Sequence, residues 1–567
     1  MTTHDSPHIV VIGGVAGGMS AAARARRLDE HAHITVLEAG HYVSFANCGL
    51  PYHVSGEIPE QDSLLMHTPD TLRAALNLDV RVDTTVTAID PKQRLVSVTT
   101  AEGTDTVAYD ALIIATGAEA LAPPIPGLDL PHVTQLRTVD DALGLAERVQ
   151  HSSHAVVLGA GFIGLEAAEA LRHRGLDTTV VELAPQVLPP MAPEMSALVE
   201  QELRDHGVAV HTGTGATHIQ EHHDGRVSVT LDNGTVLTAD VVVASMGVRP
   251  RSGLARDAGL ALDGRGAIVV DDRQRTSDPH IWAVGDVTST THAVTGVSGP
   301  TPLAGPANRQ GRRAAEAIFG VATPASPVLG TAVVRVFGLT AALTGANARQ
   351  LDAAGIDHTE IHLHAGHHAG YFPGASPVHM VVSFAPDGRL LGAQAVGTDG
   401  VDKRIDVLAT ALRAGFGADD LAELELAYAP PYGSAKDPVN MAGFMMQNVV
   451  AGTLSLWHPK DLEWARRESL ILDVRSVREY ASGHLPEAIN IPHTEVRDQL
   501  DRIRALANGR PVRVHCASGF RSYLAHRILA QEGFDSANLS GGMMTLRTAV
   551  PDLELTTQES LAAAVAP

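Results

Sequence analysis

The chain has 567 residues, which is too many for one hydrophobic core, because domains usually hold about 100–200 residues. Hydrophobic residues account for 44% of it and charged residues for 19%, proportions typical of a folded globular protein and not of a disordered one. The formal net charge of −22 argues against nucleic acid or an anionic membrane surface as a general partner.

The chain contains two cysteines, Cys48 and Cys516. This number excludes a disulfide-stabilised scaffold and a zinc site built from thiolates, and it does not indicate an oxidising compartment. The N-terminal residues lack the basic and apolar regions of a secretory signal, and no apolar run reaches the roughly 18 residues that a bilayer span needs. We therefore expect a cytoplasmic protein without a membrane segment.

The first 40 residues predict a β-turn-α-β unit. A strand at His8–Ile12 leads into the glycine-rich turn Gly13–Gly18, a helix from Met19 to Leu28 follows, and a second strand, Ile34–Leu37, ends in Glu38. Such a turn brings backbone amides close to a pyrophosphate at a helix N-terminus, and an acid about 20 residues later accepts hydrogen bonds from a ribose.

The same pattern recurs further along the chain. It consists of the strand Ala155–Leu158, the turn Gly159–Gly164, a helix through Leu171, and the strand Thr178–Val181, which ends in Glu182. Two such units predict two dinucleotide-binding domains.

The order of the units indicates which cofactor each one binds. In the architecture with two dinucleotide sites the flavin domain comes first and is interrupted by the nicotinamide domain, so Asp286, after a later strand, returns to the flavin ribityl chain. No Arg or Lys adjoins Glu182 to meet a 2′-phosphate, which favours NADH, with NADPH still possible. The residues expected to bind FAD are Gly13, Gly14, Ala16, Gly17, Gly18, Glu38, Thr116, Gly117, Asp286 and Ala304, and those expected to bind NADH are Gly159, Gly161, Phe162, Ile163, Gly164 and Glu182.

Further elements follow the second unit. We predict a helix at Ala304–Phe319, a Pro-rich linker after it, and two more domains. Their predicted strands are Thr331–Val336, Val378–Phe384, Leu470–Val474 and Val512–His515.

Cys48 lies in the segment SFANCGLPY, just after the first unit. It is either a buried free cysteine or a reactive thiol whose thiolate is favoured at a helix start. No second cysteine lies nearby, so a reactive Cys48 can alternate only with a mixed disulfide to a small thiol, a persulfide or a sulfenic acid.

Cys516 begins the segment CASGFR, between a predicted strand and a helix at Ser522–Leu529. A cysteine at such a corner is surrounded by backbone amides that stabilise an anion, and Arg521 adds positive charge. The alternative is a cysteine that only packs at a strand end.

The segments VVIGGVAGGMSAA, SFANCGLPYHVSG, ATG, GAGFIGLEAAEAL, AVGDV and AYAPPYGSAKDPVN together resemble coenzyme A disulfide reductases. These form the single-cysteine class of pyridine nucleotide–disulfide oxidoreductases, which also includes NADH oxidases and peroxidases. The resemblance covers roughly residues 8–450. It implies that Cys48 forms a mixed disulfide with coenzyme A beside the flavin. The residues implied to bind coenzyme A are Ser20, Arg24, Arg27, Ser44, Asn47, Asn308 and Lys436.

The resemblance also implies a homodimer in which the third domain of one subunit completes the active site of the other. Two tyrosines near the thiol correspond to Tyr371 and Tyr428, while Tyr432 is expected to pack at the dimer interface. Phe372 stands where many relatives have a second tyrosine.

The motifs LDVR and EYASGHLPEAINIP, together with CASGFR, make the last hundred residues resemble a rhodanese domain. The spacing from Cys516 to Arg521 is that of the sulfurtransferase loop, which implies that Cys516 carries a persulfide. Asp473 and Arg475 are expected to fix the loop. The implied fold is α/β, with a discontinuous FAD-binding domain at 1–117 and 245–325, an NAD(P)H-binding domain at 118–244, an α+β dimerisation domain at 326–452 and a rhodanese domain at 453–567.

The leading hypothesis is an NADH-dependent flavoprotein that reduces coenzyme A disulfide, coenzyme A persulfide or polysulfide through Cys48, with Cys516 transferring sulfane sulfur. One alternative is an NADH oxidase or peroxidase in which Cys48 alternates with a sulfenic acid. Another is a sulfurtransferase relay protein whose flavoprotein part senses redox state. No metal site is expected, and His362, His364, His367 and His368 are interpreted as solvent-exposed histidines.

Overall fold

The computed structural model describes residues 6–557, whose contacts divide the chain into two compact units. The first unit is Met1–Pro185 together with Leu203–Gly330, and the second is Gln186–Glu202 together with Thr331–Pro567. None of the described helices is long and apolar enough to cross a membrane.

A parallel sheet forms the N-terminal part of the first unit. Its central strands are mostly apolar because both of their faces are covered: Val11 and Ile113 pack towards one buried cluster, and Val10 and Leu112 towards another. The strand order is Ile281–Ala283, Ala111–Ile114, His8–Ile12, His33–Leu37 and Asp79–Arg81.

A second parallel sheet in the same unit repeats this arrangement. Its strands, in order, are Ala209–Thr212, Asp177–Glu182, His154–Leu158, Val241–Ala244 and Val133–Thr134. Antiparallel meanders accompany the two sheets, at Thr85–Asp90, Leu95–Thr100 and Gly103–Ala108, and at Ala216–Glu221, Val227–Leu231 and Val236–Ala239. Short antiparallel pairs lie at Ala118–Ala120 with Val248–Pro250, and at Ser289–Thr291 with Ser298–Pro300.

The second unit contains two more sheets. The first is antiparallel and has the strand order Ala332–Val336, Leu339–Gly345, Leu390–Gly397, Pro377–Phe384 and Thr359–Gly366. The second is parallel and has the order Leu456–Trp457, Ser536–Leu539, Val512–His515, Leu470–Asp473 and Ile489–Asn490.

The helices of the first unit are Ala16–Leu28, Leu50–Ser55, Pro69–Leu76, Val139–Val149, Phe162–His173, Gly253–Asp257 and Ala304–Ile318. Those of the second are Ala348–Ala353, Val401–Ala414, Ala418–Glu423, Pro438–Val450, Leu462–Glu468, Val477–Ala481, Leu500–Ala507, Phe520–Gln531 and Gly542–Ala549. The helix Pro193–Asp205 begins in the segment that groups with the second unit.

The predicted class, α/β with two Rossmann-like halves followed by two smaller domains, is confirmed. The predicted strands His8–Ile12 and Val512–His515 have the predicted bounds. Three helices begin earlier than predicted, at Ala16 instead of Met19, at Phe162 instead of after Gly164, and at Phe520 instead of Ser522. In all three places the last residues of the turn motif already form the first helical turn.

A buried ion pair joins two helices of the second unit. Arg404 lies on Val401–Ala414, and its Nη2 donates to Asp437 Oδ2 at 2.8 Å and to the His367 carbonyl at 2.7 Å. Asp437 in turn caps the helix Pro438–Val450. Both side chains are nearly inaccessible, so each charge depends on the other for compensation.

Replacing Arg404 with Met should lower the free energy of unfolding of the second unit by about 3–5 kcal/mol, because it leaves the Asp437 carboxylate buried without a cation. Thermal unfolding, combined with hydrogen exchange of segments 366–372 and 433–440, measures the loss. The exposed Arg389 is the control, and R389M should cost less than about 0.5 kcal/mol. Equal losses in the two variants would contradict the assigned role of the ion pair.

Candidate active sites

The first glycine-rich turn has a shape that only glycine permits. A Cβ atom at Gly18 would lie 1.9 Å from the Gly13 carbonyl oxygen. The Glu38 carboxylate accepts hydrogen bonds from Gly14 N at 2.7 Å and from Gly40 N at 3.0 Å, which ties the turn to the end of the second strand. The helix then starts at Ala16, so its first amides point towards the space beyond the turn.

The second turn repeats this geometry. A Cβ atom at Gly164 would lie 1.9 Å from the Gly159 carbonyl oxygen, and the Glu182 carboxylate accepts hydrogen bonds from Ala160 N at 2.6 Å and Ala184 N at 2.8 Å. Gly161, Phe162 and Ile163 lie at the start of the helix Phe162–His173, although the sequence placed them in the turn. Both turns therefore fit a dinucleotide pyrophosphate with an adenosine ribose near the acid.

Other residues predicted for FAD lie at the carboxyl ends of neighbouring strands in the first sheet. Thr116 and Gly117 follow Ala111–Ile114, and Asp286 follows Ile281–Ala283. Burial raises the pKa of Asp286, and Arg137 partly opposes that shift. Two more residues predicted for FAD lie on helices instead of at strand ends. Gly17 lies in the helix Ala16–Leu28, and Ala304 begins the helix Ala304–Ile318, which packs against Ala16–Leu28.

Arg137 was not predicted. Arg137 is partly buried, and burial lowers the pKa of its guanidinium. The nearby positive charge of Arg251 lowers that pKa further. Its Nη2 would lie 3.5 Å from a Cβ atom at Gly117. Arg137 precedes the helix Val139–Val149 in a segment with no motif, so the sequence carries no signal for its position.

Cys48 lies in the short turn of helix Asn47–Gly49 that leads into Leu50–Ser55. Ser44, which has a left-handed backbone conformation with φ of 51°, donates its amide to the Gly14 carbonyl at 2.8 Å and so fixes the cysteine segment beside the first turn. The Cys48 side chain is accessible to solvent. Surrounding protein atoms nevertheless raise its pKa by burial, and the carboxylates of Glu166 and Asp286 raise it further.

The sequence suggested that a helix start favours the Cys48 thiolate, whereas burial and two carboxylates act in the opposite direction on its pKa, so the reactivity of Cys48 stays a prediction. The helix Leu50–Ser55 has only six residues, and the nearby charges are negative. Glu166 belongs to the helix that begins at the second turn, whereas Asp286 belongs to the first sheet. Cys48 consequently lies within electrostatic reach of residues associated with both turns.

The residues implied for coenzyme A are only partly brought together. Ser20 Oγ donates to Asn308 Oδ1 at 2.7 Å, and Arg24 Nη2 pairs with Glu316 at 2.8 Å. Sequence reasoning missed Arg312, which shares Glu316 at 3.0 Å. Arg27, Asn47 and Lys436 are exposed, with Lys436 in the second unit.

Two tyrosines of the second unit form an exposed pair. The hydroxyl oxygens of Tyr371 and Tyr428 lie 3.1 Å apart, and the hydrogen bond between them raises the pKa of Tyr371. The two loops that carry them are joined by a hydrogen bond from Ala369 N to the Gly433 carbonyl at 2.9 Å. Tyr432 is also exposed within this unit.

The expectation of solvent-exposed histidines is wrong. His362 and His364 lie on the strand Thr359–Gly366, and His362 is buried with its Nε2 2.7 Å from the Glu194 carboxylate. His364 contacts His379, and burial lowers its pKa to about 3. His367 and His368 contact each other, and His368 is buried.

The Cys516–Arg521 loop joins the strand Val512–His515 to the helix Phe520–Gln531. Cys516 Sγ is buried and accepts hydrogen bonds from Gly519 N and Ser522 Oγ, both at 3.2 Å. These donors would stabilise a thiolate or a terminal persulfide sulfur. Asp473 and Arg475 form a buried pair at 2.6 Å beside this strand, and neither contacts the thiol through an observed hydrogen bond.

The chain matches known families over most of its length. Residues 7–311 match the pyridine nucleotide-disulphide oxidoreductase family, residues 331–438 match the dimerisation domain of that family, and residues 458–548 match the rhodanese-like domain. The chain belongs to the pyridine nucleotide-disulphide oxidoreductase family. The predicted flavoprotein class, which uses FAD and NAD(H), and the rhodanese-like domain are thereby confirmed.

Individual relatives are similar over nearly their whole length. A coenzyme A disulfide reductase of Staphylococcus haemolyticus is 35% identical over 447 residues, which cover 78% of this chain and 99% of that protein. The structure of reduced Bacillus anthracis CoADR-RHD is 40% identical with a TM-score of 0.94, covering 97% of this chain and 99% of the other. A NAD-dependent persulfide reductase from A. fulgidus is also 40% identical, with a TM-score of 0.89 and coverage of 95% and 99%.

Replacing Glu166 with Gln should lower the pKa of the Cys48 thiol, because it removes a negative charge that disfavours the thiolate. The inflection in the rate of Cys48 alkylation against pH, followed by peptide mass spectrometry, should move to lower pH. Glu147 lies exposed on the helix Val139–Val149, so E147Q is the matched control and should leave the inflection in place. An unchanged profile for E166Q would show that the Glu166 carboxylate does not contribute to the pKa of Cys48.

Proposed function

We propose that this protein is an NADH-dependent reductase of coenzyme A disulfide, coenzyme A persulfide or polysulfide that works through Cys48 and transfers sulfane sulfur through Cys516. The observation that carries the proposal is the position of Cys48: an accessible thiol beside the first dinucleotide turn, in a chain whose second cysteine is buried in another unit. The names of the relatives agree with it. We propose a cytoplasmic location, because thiols are kept reduced in the cytoplasm.

We assign FAD to the first glycine-rich turn and NADH to the second, because the geometry of both turns fits a dinucleotide. FAD, when bound, accepts hydride from NADH and passes electron pairs to sulfur. We infer that Glu38 and Glu182 orient the two adenosine riboses and that Asp286 receives a hydrogen bond from the ribityl chain. The domains proposed around these sites are 1–117 with 245–325 for FAD, 118–244 for NAD(P)H, 326–452 for dimerisation and 453–567 for rhodanese.

With coenzyme A disulfide, the Cys48 thiolate attacks one sulfur, forms a mixed disulfide and releases coenzyme A thiolate. Two electrons then convert the mixed disulfide into the Cys48 thiolate and a second coenzyme A thiolate. With coenzyme A persulfide, attack on the outer sulfur gives a Cys48 persulfide and coenzyme A thiolate. Two electrons convert that persulfide into the Cys48 thiolate and hydrosulfide. Burial and the carboxylates near Cys48 disfavour a negative charge on the sulfur. The charge of the attacking thiolate therefore has to be compensated when Cys48 reacts.

The coenzyme A moiety is assigned to the residues around this thiol. Ser44 and Asn47 flank the pantetheine end, while Ser20, Asn308, Arg24 and Arg27 lie on or beside the packed helices Ala16–Leu28 and Ala304–Ile318. Arginines bind phosphate oxygens in a two-pronged geometry, which suits the nucleotide end. Lys436 is proposed to add to this charge.

The tyrosine pair is proposed to act across a homodimer. Tyr371 and Tyr428 are exposed within one chain, and their hydroxyls are already held together at 3.1 Å. In the dimer they would complete the partner's site, where a hydroxyl can donate a proton to the departing thiolate. The match to a dimerisation domain supports this arrangement.

Replacing Cys48 with Ser should lower NADH-dependent reduction of coenzyme A disulfide and of polysulfide by about 10³-fold or more, because serine cannot form the mixed disulfide. Stopped-flow loss of NADH absorbance and release of hydrosulfide are the measurements. Full hydrosulfide release by C48S would contradict the proposal.

Mass spectrometry of the isolated protein distinguishes the proposed reductase from an oxidase or peroxidase. The oxidase or peroxidase alternative predicts an oxygen adduct on Cys48 in place of a coenzyme A adduct.

Replacing Cys516 with Ser should leave reduction of coenzyme A disulfide within about twofold of the unmodified protein while sulfur transfer from a persulfide donor falls by about 10³-fold. The reason is that only transfer of sulfane sulfur needs a second thiol. Thiocyanate formed from donor and cyanide measures the transfer. A C516S variant that still transfers sulfur at full rate would remove the rhodanese part of the proposal.

A further inference from the structure

An acidic residue neutralises the cation of the sulfurtransferase loop. Glu479 lies on the short helix Val477–Ala481 and binds Arg521 through both of its carboxylate oxygens, with Nη2 to Oε1 at 2.6 Å and Nη1 to Oε2 at 2.8 Å. This is the two-pronged geometry that makes an arginine–carboxylate pair strong. The guanidinium that the sequence suggested as the positive charge of the loop is therefore already paired.

The carboxylate of Glu479 is itself held in place. Its Oε2 accepts hydrogen bonds from Ser476 N at 3.0 Å and Ser476 Oγ at 2.8 Å, while Ser476 Oγ caps the helix. The hydrogen bond from Arg521 lowers the pKa of Glu479 to about 2, so this carboxylate stays ionised wherever the thiol can react. Glu479 in turn raises the pKa of Arg521, and Cys516 adds to that shift.

The net charge around Cys516 is therefore more negative than the CASGFR motif alone implies. A Cys516 thiolate, Arg521 and Glu479 together carry one net negative charge, whereas the thiolate and Arg521 alone would carry none. The nearby Asp473–Arg475 pair is matched at 2.6 Å, and burial lowers the pKa of His515 to about 4, so neither supplies a compensating cation. A donor with two negative charges would approach this site against repulsion.

We propose that Glu479 determines donor specificity by positioning and neutralising Arg521, so that Cys516 takes sulfur from persulfides whose reacting sulfur end carries at most one negative charge, in preference to donors such as thiosulfate whose reacting group carries two. This inference rests on the proposed sulfur transfer at Cys516 and names the donor class of that site. Glu479 acts through Arg521 and is a positioning residue.

Both donor reactions form the same bond at the protein. With a persulfide, the Cys516 thiolate attacks the outer sulfur, forms the Cys516 persulfide and releases the donor thiolate. With thiosulfate, the thiolate attacks the outer sulfur, the S–S bond breaks and sulfite leaves with the electron pair. The two donors differ in the charge brought to the loop, which is the quantity that Glu479 controls.

The test compares the full-length protein with E479Q, without NADH, using thiosulfate and N-acetylcysteamine persulfide as donors. Peptide mass spectrometry follows the gain of one sulfur atom on Cys516 and gives a second-order rate constant for each donor. In E479Q the rate with thiosulfate should rise about tenfold, because the freed Arg521 attracts the dianion. The rate with the persulfide should stay within about threefold.

Salt provides a readout that a merely structural role would not change. In the unmodified protein the thiosulfate rate should increase with added potassium chloride, because screening weakens the repulsion, and in E479Q this increase should be clearly smaller, because only the repulsion by the other charges of the chain remains to be screened. Glu463 is the matched control: it pairs with Arg466 at 3.0 Å in the same domain, and E463Q should leave both rates and their salt dependence unchanged.

Equal loss of both rates in E479Q, or an unchanged ratio of the two, would overturn the inference while leaving the proposed function intact. If Cys516 gains sulfur from neither donor in the unmodified protein, the proposed sulfur transfer fails, and donor selection fails with it. If E479Q does not fold, the salt dependence of the unmodified protein decides: a thiosulfate rate that does not increase with salt also overturns the inference.

Discussion

Both dinucleotide sites depend on one kind of contact, in which a strand-end carboxylate accepts a hydrogen bond from an amide of the glycine-rich turn. Glu38 holds Gly14 in this way, and Glu182 holds Ala160. The contact fixes each turn through groups of the protein itself, which orients the helix amides that follow. It also positions the proposed redox thiol, because the Ser44 amide donates to the carbonyl of Gly14 and thereby places the Cys48 segment against the first turn.

The two cysteines are surrounded by opposite electrostatics, which suits different chemistry. Burial and the carboxylates near Cys48 raise the pKa of its thiol, so its surroundings disfavour negative charge on the sulfur. Cys516 is surrounded by hydrogen-bond donors, with Gly519 N and Ser522 Oγ at 3.2 Å. Such donors stabilise a terminal sulfur anion, and they do so without any electron transfer, as a carrier of sulfane sulfur requires.

Local patterns predicted the strands, both turns and the acids that follow them, because these features are encoded within about 30 residues. Contacts between distant residues were missed for a physical reason. Arg521 and Glu479, and likewise His362 and Glu194, pair across long stretches of chain that share no motif or periodicity. Charged residues are usually exposed and histidine is intermediate in burial, so the environment of His362 could not be predicted from its residue type. Helix starts shifted because turn residues already form the first helical turn.

The net charge of −22 makes local charge the main means of selecting substrates. The proposed phosphate-bearing substrate would require arginines where its phosphates bind, and Arg24 and Arg312 share one acid, Glu316, between the paired helices Ala16–Leu28 and Ala304–Ile318. Two guanidinium groups on one carboxylate leave net positive charge there. At Arg521 the ratio is one to one, so the loop offers no such excess. Under the proposed function, these acids would leave positive charge for the nucleotide end of coenzyme A and withhold it from the sulfur that Cys516 transfers.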